Sequence, residues 1–112
     1  MNGNKGSHFG TEEQAVAAVA KALGHPARIA IVRLLATRTT CTTGELVAEL
    51  PLSQSTVSQH LKELKAAGLV ESVPGNAREG YALVSGRWAQ VRQLFGTVLG
   101  ELLPPAATAP PA

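Results

Sequence analysis

Leu52-Ser53-Gln54-Ser55-Thr56-Val57-Ser58-Gln59-His60-Leu61-Lys62-Glu63-Leu64-Lys65-Ala66-Ala67-Gly68-Leu69-Val70 reads as one short helix with two unlike faces. Val57, Leu61 and Leu64 recur at helical spacing and form an apolar stripe. The other face presents Gln54, Ser55, Ser58, Gln59 and Lys62, small polar groups with one cation and no carboxylate. Ser53 is suited to cap the helix start, and Gly68 stands where a left-handed residue closes a helix. This chemistry suits base edges: a glutamine amide pairs two-point with adenine, serine donates or accepts, and lysine reaches guanine or phosphate. The plainer alternative is an ordinary amphipathic surface helix, so the flanking segments decide.

Upstream, Thr42-Thr43-Gly44-Glu45 is a capping box that opens a helix carrying Leu46, Val47 and Leu50, stopped by Pro51. Two short helices across a tight turn, the second with a polar face, make a helix-turn-helix; Leu46 and Leu50 are expected to buttress Val57 and Leu61. Downstream, Leu69, Val70 and Val73 form one strand-like run and Tyr81-Ala82-Leu83-Val84 another, with Pro74-Gly75-Asn76 as a turn cluster between them. Such a hairpin can carry Arg78 to a minor groove or phosphate, or it can simply cover a core edge with Arg78 solvated.

Earlier in the chain, Thr11-Glu12-Glu13-Gln14 is a second capping-box pattern, opening a helix to about Leu23 with Val16, Val19 and Leu23 on one side. After Gly24, His25-Pro26 starts the next helix, with Pro26 in its first turn and His25 as a cap. Ile29, Ile31, Val32, Leu34 and Leu35 give it a wide apolar face, so it is expected to be the central core helix, ending near Ala36 before a polar connector from Thr37 to Thr42. The last helix, from Arg87 to about Leu103, bears Trp88, Val91, Phe95, Val98 and Leu102 at spacings of three and four, widened by Leu94 and Leu99. A stripe of this kind can pack on the core or on a partner subunit; at the end of a small domain the dimer interface is the favoured reading, shared with Val16 and Val19 of the first helix. The organisation is a flexible segment 1–10, one domain over 11–103, and a disordered Pro/Ala tail over 104–112.

Composition limits the function. The chain has 112 residues, 45% of them hydrophobic, a formal charge of +2, one cysteine and no aspartate. A domain this small gains from burying apolar surface in a dimer. Between Thr43 and Arg87, the cations Lys62, Lys65, Arg78 and Arg87 face Glu45, Glu49, Glu63, Glu71 and Glu79, so bulk charge there does not favour nucleic acid. Only local placement of Lys62 and Arg78 supplies a phosphate term, weak and salt-dependent. No run is long enough to span a membrane and no signal peptide is evident, so a cytoplasmic protein without membrane partners is expected. No Ser/His/Asp set, carboxylate pair or phosphate-cradling glycine loop appears, and an enzyme is not expected.

Ala22-Leu23-Gly24-His25-Pro26-Ala27-Arg28-Ile29, the Leu46–Leu50 segment, Leu52 to Leu61, and Ala66-Ala67-Gly68-Leu69-Val70 together closely resemble the ArsR/SmtB family of prokaryotic winged-helix repressors, over about residues 12–103. The resemblance implies a mainly α fold with a small β-hairpin: four helices, a two-stranded wing and a fifth helix, dimerised through the first and last helices. It also implies a palindromic operator and release by an inducer. By position, Gln54, Ser55, Ser58 and Gln59 match the base-reading residues, with Thr56 inside the same segment. His60 and Lys62 match phosphate or edge contacts, and Arg78 matches the wing contact. The departure lies at the inducer sites. Thr40-Cys41-Thr42-Thr43 has one thiol where many members have Cys-x-Cys, and the last helix holds neither Asp nor His. Soft metals want two or more thiolates and zinc wants four good ligands, so the family's usual metal sites are not expected here, and no cofactor is evident; whether the effector is a metal, a small molecule or a partner protein stays open. Cys41 is left with two readings, a thiol sensor or metal half-site, and a small partly buried residue at a helix start. The rival to a DNA-binding repressor is a winged-helix module that binds a protein partner or serves as corepressor.

Overall fold

Ser53 and Gly68 bound the reading helix as expected: the Ser53 hydroxyl accepts from the Thr56 N–H at 3.3 Å, and Gly68 adopts φ 76°. The structure is a computed structural model and describes residues 8–75 and 78–102. The elements are α1 (Thr11–Leu23), α2 (Pro26–Arg38), β1 (Cys41–Thr42), α3 (Thr43–Glu49), α4 (Gln54–Ala66), β2 (Val70–Val73), β3 (Gly80–Leu83) and α5 (Ser85–Glu101). The expected 104–112 tail, most of the 1–10 segment, Asn76 and Leu103 lie outside the described residues.

Two further helix starts follow the sequence. The His25 Nδ1 accepts from Ala27 N–H at 3.0 Å with Pro26 following it, and at α3 Thr42 and Glu45 exchange reciprocal bonds of 3.1 and 2.8 Å. The start of α1 is corrected by one residue. Gly10 is the N-cap, its N–H donating to Glu13 Oε1 at 2.9 Å, and Thr11 is already helical. Gln14 Nε2 instead donates to the Phe9 carbonyl at 2.7 Å. The second helix runs on to Arg38 and ends in a γ-turn at Thr39, φ 71°, with Thr40 N–H donating to the Arg38 carbonyl at 2.8 Å.

That turn explains a strand the sequence did not reveal. The end of the polar connector becomes β1, pairing Cys41 with Tyr81 and Thr42 with Gly80 on the free side of β3. The hairpin is therefore part of a three-stranded antiparallel sheet in the order β1-β3-β2, with Val70 opposite Leu83 and Val73 opposite Gly80. The core beneath it is built from Ile31 and Leu35 of α2, Leu46 of α3, Val57, Leu61 and Leu64 of α4, and Leu69 and Val70, all essentially inaccessible to water. Val19 of α1 and Val91 of α5 complete it. No single helix is long and apolar enough to cross a membrane among the described residues.

Candidate nucleic-acid interface

The α4 helix is held on one side only. Val57, Leu61 and Leu64 lock it against α2 and α3, and Lys65 Nζ donates to Ser72 Oγ at 2.8 Å, tying its last turn to β2. Gln54, Ser55, Ser58, Gln59 and Lys62 all lie exposed on the outer side, as the helical spacing predicts. Thr56 sits at the margin, half-buried, where its Oγ1 accepts from the Ser53 hydroxyl at 2.9 Å; it belongs to the cap more than to the face.

Two features depart from the expected face. His60 is 7% exposed and turned inward, where its Nδ1 accepts from Arg28 Nε at 3.0 Å. It is not placed to touch DNA. Its spacing carried the signal: three residues after Val57 and four before Leu64 is a position on the apolar stripe. The second feature is Glu63, exposed one turn beyond Gln59, which accepts from Gln59 Nε2 at 3.2 Å. The face thus includes a carboxylate at its rim, and the glutamine amide is occupied until something displaces it.

Arg78 lies exposed between the wing strands but folds back toward the domain. Its Nη1 sits so close over Gly44 that a Cβ there would meet it at 3.3 Å. Thr42, Thr43, Gly44, Gln54, Arg78, Glu79 and Tyr81 line one open hollow, so the start of α3, the start of α4 and the wing converge. The structure therefore brings Arg78 to the same side as Gln54, a juxtaposition from residues 24 apart in sequence. Glu79 in the same hollow offsets part of its charge.

The residues expected at a dimer interface divide. Val19 and Val91 are interior, 1% and 5% exposed. Trp88 and Phe95 pack on the core, with Trp88 Nε1 donating to the Leu69 carbonyl at 2.9 Å. Val19 and Val91 are thus taken up within one chain, while Trp88 and Phe95 stay half-buried and keep part of their surface free. Val16 and Val98 are half-buried, and Leu102 is 69% exposed beside Leu99 at 55%. Val98 and Leu102 face a hollow formed with Gly10 to Glu13 at the start of α1.

Cys41 is buried, and its thiol is pushed above its ordinary value, first by burial, then by Glu45, with Arg38 acting the other way and Glu49 adding to the rise. The helix start beside it does not activate it. Among the described residues no three His, Cys, Asp or Glu side chains gather as a metal site.

This arrangement matches known proteins. Residues 23–73 match the family model described as a helix-turn-helix domain. An uncharacterised helix-turn-helix transcriptional regulator of Methanocaldococcus jannaschii is 33% identical over 78 residues, 70% of this chain and 88% of its own length. An ArsR-like transcriptional regulator from Rhodococcus sp. superposes with a TM-score of 0.70 at 26% identity, covering 80% of this chain and 84% of that one. A possible transcriptional regulator for arsenical resistance gives a TM-score of 0.62 at 35% identity, over 70% of this chain and 80% of its own. With the helix-turn-helix, the wing and the terminal helix all in place, the chain belongs to the ArsR family of winged helix-turn-helix, DNA-binding transcriptional regulators.

Proposed function

We propose that the protein is a repressor that binds a palindromic operator as a homodimer. The observation that carries this reading is the one-sidedness of α4: its inner side faces the core, while Gln54, Ser55, Ser58, Gln59 and Lys62 lie exposed on the other with Arg78 nearby. In the major groove the glutamines and serines read base edges, Lys62 reaches a phosphate or guanine, and Arg78 contacts the backbone or minor groove beside it. Two copies related by a twofold axis set their α4 helices roughly 34 Å apart, in successive major grooves. The exposed apolar end of α5 supports such a pairing. Regulation then acts by changing how the α1/α5 region holds the two reading helices relative to each other, whatever the effector.

The test is selection of duplex fragments by the purified protein at two salt concentrations. An inverted repeat with half-sites one helical turn apart is expected, lost in a Gln59→Ala, Lys62→Ala double variant. Recovery of no sequence above that variant's background overturns direct operator reading and leaves a protein-binding module.

A further inference from the structure

One polar group on α4 is not on the reading face, and its partners come from another part of the chain. His60 is nearly buried, yet it is not an orphan. Arg28 Nε donates to its Nδ1 at 3.0 Å, and Arg28 Nη1 donates to the Ala22 carbonyl at 3.0 Å. Ala22 lies in the last turn of α1, where carbonyls have no helical partner, so the guanidinium caps α1 while it holds α4. The His25 ring sits against His60, centroids 4.6 Å apart, from the N-cap of α2. Apolar packing alone leaves a helix free to roll about its axis by small amounts; a planar donor with two fixed acceptors does not.

We propose that Arg28 and His60 are a positioning pair for DNA reading, fixing the rotation of α4 relative to the α1–α2 corner so that Gln54, Ser58 and Lys62 meet the groove together. This rests on the DNA-reading role of α4 proposed above. His60 touches no base; it acts through the helix that carries the readers. Because α1 also packs on α5, the pair connects the reading helix to the region where two copies are proposed to meet.

The bond requires an unprotonated Nδ1, so the pair is sensitive to proton concentration. Burial first, then His25, then Arg28 hold His60 below its ordinary value. Lys21 of α1 and Glu63 of α4 line the hollow next to Arg28, while the α3 carboxylates Glu45 and Glu49 act instead on Cys41. A histidine depressed in the folded state contributes full stability above its unfolded value of about 6.5 and loses it as pH falls below that, down to its folded value. Protonation turns the acceptor into a donor facing a cation, and the helix loses its tie.

The experiment compares His60→Asn, whose amide oxygen takes the place of Nδ1 without titrating, with His60→Gln and Arg28→Lys, which displace or weaken the contact. The probe is the strongest inverted-repeat duplex recovered by selection from a random library, against a scrambled duplex of the same length, from pH 7.5 to 5.5. The expected result is specific affinity kept in His60→Asn and lowered about tenfold in the other two, the weight of one net hydrogen bond. Any fall in the ratio of specific to scrambled binding as the pH is lowered below about 6.5 should be seen in the natural protein and be absent from His60→Asn. Thermal unfolding of each variant, read alongside, separates loss of fold from loss of position. Equal specific affinity in all three folded variants, or a pH fall undiminished in His60→Asn, overturns the pair while leaving operator reading intact. A natural protein that selects no duplex overturns both.

Discussion

α4 and α5 are built from similar apolar stripes and end in opposite conditions. In α4 every large apolar side chain is consumed within the chain, and the exposed remainder is mostly polar and chemically varied. In α5 Val91 is buried and Trp88 and Phe95 are half-buried against the core, while the last turns leave Leu99 and Leu102 in water. The first helix is a finished element that offers information to a partner; the second is unfinished and offers area. Single exposed leucines are ordinary on a protein surface; two on the end of one helix are where the proposed pairing of copies would find its apolar contact.

The largest test of this contrast is a pair of truncations. Leu61→Ala should cost about 2–5 kcal/mol of unfolding free energy, because it empties a site closed on every side. Leu102→Ala should cost almost nothing in dilute protein, where the residue is already in water, and its effect should appear only as protein concentration rises and copies associate. Denaturant titrations at two protein concentrations measure both. Equal costs at low concentration would mean that the end of α5 is as enclosed as α4 and that the contrast is false.

Much of this was legible from residue spacing, and apart from the one-residue shift of the α1 cap the misreadings have one physical source. Caps, turns and helical stripes are local, so Ser53, the Thr42–Glu45 box and the Val57–Leu64 stripe announced themselves. What failed was whatever depends on a distant partner. β1 exists only because Tyr81 and Gly80 return to pair with a stretch that looks like a polar linker. Trp88 and Val91 read as an intersubunit surface because the sequence does not show that Leu69 and the core would take them. His60 is the intermediate case: its spacing placed it inward, but as a polar residue it invited a reading at the DNA, and only Arg28, thirty-two residues earlier, explains its burial.

The next test moves along α5 to where the two halves divide. Trp88→Phe puts a smaller ring in place of the indole and removes its donor to the Leu69 carbonyl, which keeps only the Val84 N–H at 3.2 Å just beyond α4. A loss of about 0.5–1.5 kcal/mol from the hydrogen bond is expected, independent of protein concentration. A cost that grows with concentration would move Trp88 to the unfinished half.

On the polar side of α4, Lys62→Ala should weaken binding to all duplexes alike, by about tenfold at low salt, and reduce the salt slope by about one. Glu63→Gln should act the other way. It removes a carboxylate from the rim of the face and loosens the amide of Gln59, so affinity rises modestly for every sequence. If Glu63→Gln instead lost discrimination between operator and scrambled DNA, the Gln59–Glu63 contact would be part of the bound geometry and not a contact that DNA displaces.

The smallest expected effect concerns Cys41, which lies on the closed side of the contrast. Its thiol sits beneath the start of α3, 3% exposed, and burial with Glu45 and Glu49 keeps it protonated further up the pH scale than a free thiol, against the opposing pull of Arg38. Because the thiolate is the reactive form, alkylation of the folded protein by iodoacetamide at pH 7.5 should run more slowly than that of the guanidinium-unfolded chain, and operator affinity should be unchanged by mild oxidant. Reaction at the free-thiol rate or faster would require that α3 and β1 open readily, and the region that buttresses the reading helix would then be as unfinished as the end of α5.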